Sequence, residues 1–255
     1  MRAGLEDVSV LDVENLEYRY PDGHVALSGL SFSIAEGERV ALIGPNGAGK
    51  STLLLHLNGL LPERPAAHPP VRVDGLPADE AHLPDIRRRV GLLFQDPDDQ
   101  LFCPSVEEDV AFGPRQLGVE GTALGQLVER SLERVGLAGF GPRQPHRLSR
   151  GEKRRACLAG LLACDARLLA LDEPTSDLDP RGRRELISLL ASLPVAQLIA
   201  THDLEMVVKL CPRSIVLDRG RIVADGPSLE LLADEPLMLA HGLERPHALR
   251  HLHPH

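Results

Sequence analysis

The sequence predicts an α/β fold built around a mainly parallel sheet. Five apolar runs have the length and composition of buried strands, and they lie at residues 39–44, 90–95, 168–174, 197–203 and 214–218. Helical patterns follow several of these runs, as at Arg181–Leu193 and Leu204–Leu210. Because strands that alternate with helices form parallel sheets covered on both faces, the core is predicted to be doubly wound.

Two regions depart from that alternation. Near the N-terminus, VENLEYRY and ALSGLSFSI alternate apolar with polar residues around the turn PDGH, which predicts an antiparallel β-subdomain laid on the core. Residues 97–150 contain helical stretches and no strong strand run, which predicts an inserted helical subdomain. A short helical pattern and a His-rich end follow Pro227, so the sequence divides into a domain at 1–227 and a tail at 228–255.

Composition narrows the class of protein. With 43% apolar and 25% charged residues, the 255-residue chain is typical of globular proteins, and its formal charge of −9 argues against a nucleic-acid partner. No apolar run approaches the ~18 residues of a membrane span, and the N-terminus lacks a signal-peptide pattern, so we expect a soluble, cytoplasmic chain. Cys157 and Cys164 are interpreted as small buried side chains, and the run Arg87–Arg89 as a solvated face beside a strand.

A glycine-rich run gives the first indication of a binding site. The stretch GPNGAGKST fits G-x-x-x-x-G-K-[ST] between an apolar run and a helical one, which predicts a P-loop NTPase core of the RecA-like type. Its glycines let successive backbone N–H groups turn towards phosphate oxygens, and the helix N-terminus adds partial positive charge. The residues predicted to hold ATP are Gly44, Pro45, Asn46, Gly47, Ala48, Gly49, Lys50, Ser51 and Thr52.

Two roles in that run follow from side-chain chemistry. The ammonium of Lys50, a compact charge on a flexible stem, can reach the β- and γ-phosphates, and the hydroxyl of Ser51 can bind Mg²⁺. The run LLALDEP then places Asp172 and Glu173 at the end of an apolar strand. We expect Asp172 to hold the hydrated Mg²⁺ and Glu173 to act as the general base on the attacking water.

With these and further motifs in order, nearly the whole chain resembles the ATP-binding subunit of an ABC transporter. LSRGEKRR resembles the signature motif of that family, and TSDLD resembles the loop that crosses its dimer interface. The resemblance implies a catalytic role for His202 in IATHD and for Gln95 in LLFQD, the latter also as a Mg²⁺ ligand. It further implies that Tyr20, rather than Tyr18, stacks on adenine.

The resemblance also implies a dimer. Two ATPase subunits would enclose two ATP molecules head to tail, with Ser149, Gly151 and Asp179 of one subunit completing the site of the other. Arg150 stands where the commoner LSGG form has glycine, and two interpretations of it remain open: charge beside the phosphates, or a side chain that points outward. Whether the second subunit is an identical chain also stays open.

The stretch at residues 94–118 resembles the corresponding segment of importer ATPases of the energy-coupling-factor type. RYPDGHVALSGLSFSI and IATHDLEMV are similar to the cobalt and nickel members of that group. The resemblance implies integral membrane coupling and substrate-binding subunits, with this chain at the cytoplasmic face of the membrane. Candidate walls of the groove for a coupling helix are Leu101, Phe102 and Glu107–Asp109, together with Phe94, for which packing within the subdomain is the simpler interpretation.

Two alternatives and one open question remain. A vitamin importer of the same mechanistic type would share every catalytic residue. A soluble ABC ATPase without a membrane partner is disfavoured, because only residues 96–148 separate Gln95 from Ser149, too few for a long coiled-coil insertion. In the tail, His247 and His251 have the i,i+4 spacing of a Ni²⁺ or Co²⁺ site, or else the histidines are incidental.

Overall fold

The computed structural model of the chain describes residues 9–63 and 68–250. Its strands are β1 (Ser9–Arg19), β2 (Val25–Ala35), β3 (Arg39–Ile43), β4 (Val71–Val73), β5 (Leu76–Pro77), β6 (Val90–Leu93), β7 (Leu168–Asp172), β8 (Ala196–Ala200), β9 (Arg213–Asp218) and β10 (Arg221–Pro227). Its helices are α1 (Lys50–Leu57), α2 (Leu83–Arg89), α3 (Val106–Gln116), α4 (Gly121–Arg134), α5 (Arg150–Ala163), α6 (Pro180–Ser192), α7 (Leu204–Leu210), α8 (Ser228–Ala233), α9 (Glu235–Ala240) and α10 (His247–Arg250).

The larger sheet has the strand order β10-β9-β3-β8-β7-β6. All neighbours in it are parallel except β10, which pairs antiparallel with β9. The five predicted strands and the mainly parallel sheet are therefore confirmed. Strand β10 had no sequence signal of comparable strength, because its side chains alternate between exposed and half-buried positions rather than forming an apolar run.

The smaller sheet is antiparallel, in the order β2-β1-β4-β5. The hairpin of β1 and β2 was predicted from alternation and is confirmed, with the turn at residues 20–24. Strands β4 and β5 were missed since they are only three and two residues long. The β-subdomain thus includes a segment that follows the phosphate-binding run in the chain.

The parallel sheet separates two apolar cores. Along β3, Val40 and Leu42 pack against the core shared with the antiparallel sheet, whereas Ala41 and Ile43 pack against the core shared with the helices. All four side chains are fully buried. Burying one side chain as large as Leu42 is worth roughly 1.5–3 kcal/mol, so a strand that is apolar on both faces is held firmly at the centre of the sheet.

The helices α3, α4 and α5 lie between β6 and β7 in the chain, and α5 continues to Ala163. The arginine run is confirmed as a solvated face beside β6 at Arg87 and Arg88, which are exposed, whereas Arg89 is half-buried. Its residues form the last turn of α2, where Arg87 donates to the carbonyl oxygen of Gly59 and Arg89 forms a 2.7 Å ion pair with Asp74. These contacts tie α2 to α1 and to the antiparallel sheet.

Of the C-terminal segment, the structure describes residues up to 250. Leu232, Met238, Leu243 and Leu249 are buried in the core that contains the helices. The predicted His247–His251 pair falls partly outside the described residues, because His251 and the positions after it are not described. Within the described ranges, no helix has the length and apolar character needed to cross a membrane.

Candidate active site

The candidate site lies at the carboxyl edge of the parallel sheet. Leu42 on β3 and Asp172 on β7 both pair with Ala200 on β8, so the three strands end side by side. Two backbone hydrogen bonds extend this alignment: Thr201 N–H donates to the oxygen of Leu42 at 3.1 Å, and Glu173 N–H donates to the oxygen of Ala200 at 2.8 Å. The loops that follow these strands enclose a cavity of about 620 Å³.

The glycine-rich loop follows β3 and needs glycine for two reasons. Gly44, Gly47 and Gly49 have φ values of 155°, 79° and 108°, a region that other residues rarely adopt. A Cβ atom on Gly44 would lie 2.0 Å from the carbonyl oxygen of Leu217, and one on Gly49 would lie 2.6 Å from that of Ala26. The backbone can therefore take this curled conformation because glycine stands at these positions.

Helix α1 begins directly after the loop, and no side chain caps its first turn. Lys50 folds back over the loop, where its Nζ donates to the oxygens of Gly44 at 2.7 Å and Pro45 at 3.1 Å. Burial lowers the pKa of Lys50, and the carboxylates of Glu173 and Asp172 act in the opposite direction. An ammonium group and uncapped N–H groups thus meet at one end of the cavity, an arrangement suited to phosphate.

The other predicted residues of the loop mostly face the same cavity. Its lining includes Gly44, Pro45, Asn46, Gly47, Gly49, Lys50, Ser51 and Thr52. Ala48 differs, since its side chain is 2% exposed in the core and its N–H donates to the oxygen of Pro45 at 3.2 Å. Any contact of Ala48 with a nucleotide would have to come from its backbone.

Three oxygen-bearing side chains converge beside the loop. Asp172, Ser51 and Gln95 all line the cavity, and Ser51 forms a side-chain hydrogen bond with Asp172. Burial raises the pKa of Asp172, while that hydrogen bond lowers it. A carboxylate, a hydroxyl and an amide oxygen are hard donors of the kind that Mg²⁺ prefers, so these residues fit the metal that was predicted for them.

Glu173 is buried and held by several donors. Its side chain is 10% exposed, and its Oε2 accepts from the Thr201 hydroxyl at 3.1 Å and from the His202 N–H at 3.3 Å. The Nδ1 atom of His202 lies 2.9 Å from the same oxygen. Glu173 also has a φ of 44°, which is uncommon for a residue with a side chain and typical of constrained functional positions.

A second layer of polar residues supports this arrangement and was not found from the sequence. Arg183 pairs with both carboxylate oxygens of Asp203, each at 2.7 Å. Asp203 also accepts from the Thr175 hydroxyl, and its N–H donates to Thr201. Because these residues come from three separate loops and helices, only the folded chain brings them together.

Tyr20, the residue expected to stack on adenine, lines the cavity, and its hydroxyl lies 3.0 Å from that of Thr52. The alternative residue, Tyr18, packs instead edge-on against His56. Four contributors to the lining were missed, namely His24, Ala26, Gly242 and Leu243. His24 faces Tyr20 across the hairpin turn with the two rings nearly parallel and 6.4 Å apart, and Leu243 reaches the cavity from the C-terminal segment.

Ser149, Gly151 and Asp179 lie outside this cavity and line a separate one of about 390 Å³. Ser149 caps α5, where its side chain accepts from the Glu152 N–H while the Glu152 carboxylate accepts from the Ser149 N–H. Asp179 caps α6 in the same way, by accepting from Gly182. Within one chain, the signature residues and the glycine-rich loop therefore do not meet.

The partly exposed side chain of Arg150 lies between two carboxylates of its own chain. Its guanidinium lies 3.7 Å from the carboxylate of Asp96 and 3.4 Å from that of Asp177. The three side chains are between two-fifths and two-thirds exposed, so these ion pairs are individually weak. They nonetheless connect α5 to the segment after β6 and to the segment after Glu173.

A family model and several known proteins are similar to this chain. The model described as ABC transporter matches residues 27–176. An ABC transporter ATP-binding protein of Streptomyces coelicolor is 55% identical over 92% of this chain and 90% of its own length. The energy-coupling factor transporter ATP-binding protein EcfA of Methanothermobacter thermautotrophicus is 45% identical over 93% of this chain and 77% of its own. Among solved structures, CbiO1 from Clostridium perfringens, part of the ABC transporter complex CbiONQ, has a TM-score of 0.79 at 36% identity, covering 91% of this chain and 94% of that one.

The position of Glu173 leads to a first prediction. The substitution Glu173→Gln removes the basic carboxylate but keeps the side chain's size, so turnover of ATP should fall about 10²–10⁴-fold while ATP affinity stays within about twofold. Steady-state hydrolysis and the binding of a fluorescent ATP analogue would measure the two effects. Glu230→Gln, the same change on the exposed surface of α8, is the control. Unchanged turnover in Glu173→Gln would contradict a base at this position.

Proposed function

This chain belongs to the ABC transporter family, and from that premise we propose that it powers the import of a transition-metal ion, cobalt or nickel, through separate membrane subunits. The chain binds and hydrolyses ATP. Its resemblance to importer ATPases of the energy-coupling-factor type is confirmed by EcfA and CbiO1. The similarity to CbiO1 along 91% of the chain carries the proposal, together with the cobalt- and nickel-like stretches at residues 19–34 and 199–207.

In the proposed mechanism, the glycine-rich loop and Lys50 hold the phosphates of ATP. Ser51, Asp172 and Gln95 hold Mg²⁺, which when bound would offset phosphate charge. Glu173 takes a proton from the attacking water, since its carboxylate lines the cavity, whereas that of Asp172 is hydrogen-bonded to Ser51 and is proposed to bind the metal. The Thr201 hydroxyl and the His202 ring orient that carboxylate through the hydrogen bonds described above. Tyr20 stacks on the adenine.

Two chains are required to complete the site. Ser149 and Gly151 lie in a cavity of their own, away from the glycine-rich loop of the same chain. A second subunit placed head to tail would bring its Ser149 hydroxyl and the N-terminus of its α5 to the γ-phosphate, where both donate hydrogen bonds. Since one chain contains every motif, two identical chains suffice, and a related partner chain could replace one of them.

An apolar surface patch supports docking of a membrane subunit at the cytoplasmic face. The patch is centred on Phe102 and Phe112, which are 66% and 45% exposed, and Leu117, 46% exposed, follows at the end of α3, the helix that carries Phe112. The two phenyl rings meet edge to face at 5.0 Å. Exposed aromatic groups of this kind mark interaction sites. Asp109 does not join the wall of this surface, because its Oδ1 accepts from the N–H groups of Phe102 and Cys103 and so fixes the loop behind the patch.

The docking proposal gives a second prediction. The substitution Phe102→Asp should reduce co-purification of membrane subunits about tenfold or more, since it charges the centre of the patch. ATP hydrolysis by the purified chain should not change. Leu229→Asp, at a residue 56% exposed on α8, is the matched control and should leave co-purification intact. Equal recovery of membrane subunits with both variants would argue against this surface.

The transport proposal is tested by metal content. We expect cells of the native host that carry Glu173→Gln to accumulate less cobalt or less nickel than cells with the wild-type chain or with Glu230→Gln. A selective fall in one metal would support the importer and identify its substrate. Unchanged levels of both metals, with the chain still bound to membrane subunits, would contradict the metal assignment and favour a vitamin. Absence of any membrane association would favour a soluble ATPase.

A further inference from the structure

A buried arginine lies behind the active site. Arg154 on α5 is 0% exposed, which makes it one of the largest fully buried side chains in the described part of the chain. Burying a guanidinium costs solvation that only hydrogen bonds can replace. Burial also lowers the pKa of Arg154, as does the positive charge of Arg150 beside it. The few bonds that this side chain does form therefore matter to the surrounding structure.

All of these bonds come from one nitrogen atom and reach the two loops that carry the catalytic residues. Nη2 of Arg154 donates to the carbonyl oxygen of Gln95 at 2.8 Å, and to the hydroxyl and carbonyl oxygens of Ser176 at 2.8 and 3.2 Å. The Ser176 hydroxyl in turn donates to the carbonyl oxygen of Glu173 at 2.9 Å. A continuous chain of hydrogen bonds thus joins the backbone of Gln95 to the backbone of Glu173.

Two other cations from the start of α5 reinforce the same connection. Lys153 lies 2.5 Å from the carboxylate of Asp98, and Arg150 pairs with both Asp96 and Asp177. All three cations come from one turn of α5, which begins at Ser149. The segment at 95–98 and the segment at 176–177 are therefore both tied to the helix that carries the signature residues.

We propose that Arg154 is a positioning residue for ATP hydrolysis, which sets the distance between Gln95 and Glu173 by holding the backbone of both loops. This inference rests on the roles that the proposed function gives to these two residues. Arg154 acts through the backbone groups and the Ser176 hydroxyl that it holds, and it does not line the cavity of the candidate site. Because the same side chain is rooted in α5, a shift of Gln95 towards the γ-phosphate is passed to the signature helix that serves the partner's site.

A purely structural role accounts poorly for this side chain. Its Nε and Nη1 have no hydrogen-bond partner among the described residues, and both are buried. An apolar side chain of similar volume would fill the same space without that cost, and such replacements of buried charges are often neutral or stabilising. What an apolar side chain would not reproduce is the single donor shared between the Gln95 and Ser176 carbonyl groups.

The test compares three variants of the purified chain in steady-state hydrolysis, ATP binding and thermal unfolding. Arg154→Met should lower kcat about 10–10²-fold with ATP affinity within about twofold, because the loops that hold Gln95 and Glu173 separate while the phosphate loop is untouched. Arg154→Lys should recover part of kcat, since an ammonium group can still bridge two carbonyl groups. Arg213→Met is the control. Arg213 pairs with Asp225 and Glu38 at the opposite edge of the sheet, so its loss should lower the unfolding temperature and leave kcat within about twofold.

A folded Arg154→Met variant with wild-type kcat would overturn the inference, as would an effect confined to KM. Should that variant fail to fold, Ser176→Ala decides the matter, because it removes only the hydroxyl between Arg154 and Glu173. Its kcat should fall at unchanged affinity, and a wild-type kcat would overturn the inference. These readouts use ATP hydrolysis alone, so they hold even if no metal is imported. Full turnover by Glu173→Gln would also overturn the inference, because it would show that Glu173 lacks the role that the proposed function gives it.

Discussion

The parallel pairing of β3, β8 and β7 is the constraint on which the site depends. Leu42 and Asp172 meet Ala200 from either side, so the glycine-rich loop, Asp172 and Glu173 leave the sheet at the same edge and the same height. The backbone bonds from Thr201 and Glu173 carry that register one residue beyond the strands. A shift of one residue in β7 would exchange the faces of Asp172 and Glu173 and so disrupt the roles proposed for them as metal ligand and base. The two apolar cores, which bury Leu169 and Leu171 on one face of β7 and Leu168 and Ala170 on the other, oppose such a shift.

Two buried cations lie near this edge of the sheet. Lys50 lines the same cavity as Asp172 and Glu173. Burial lowers the pKa of Lys50, and the two carboxylates act in the opposite direction. Behind the cavity, Arg154 occupies a similar position relative to the carbonyl oxygen of Gln95. Lys50 lines the cavity that is proposed to hold the phosphates, and Arg154 holds the backbone of the loop that carries Gln95.

Much of the fold and of the candidate site could be predicted from the sequence, because the motifs that indicate them are made of neighbouring residues. The glycine-rich run, the strand that ends in Asp172 and Glu173, and the five apolar strands each lie within a few consecutive residues, and the sheet was predicted correctly from them. The missed features depend on distant residues. Strands β4 and β5 are too short for a pattern, and the contacts of Arg154 with segments 59 and 22 positions away have no local sign. The ion pair of Arg89 was missed for the same reason, because its partner Asp74 lies 15 positions away in the chain.

The most direct test of a two-chain active site measures ATP hydrolysis by a mixture of two variants that are each expected to be inactive. Lys50→Met removes phosphate binding from a chain, and Ser149→Arg blocks the signature residue that would complete the partner's site. Each variant alone should be inactive in ATP hydrolysis. In a mixed dimer, however, the glycine-rich loop of the Ser149→Arg chain faces an intact signature helix on the Lys50→Met chain, so mixing the two should restore hydrolysis. A mixture as inactive as its components would contradict the claim that one chain holds only half of each active site.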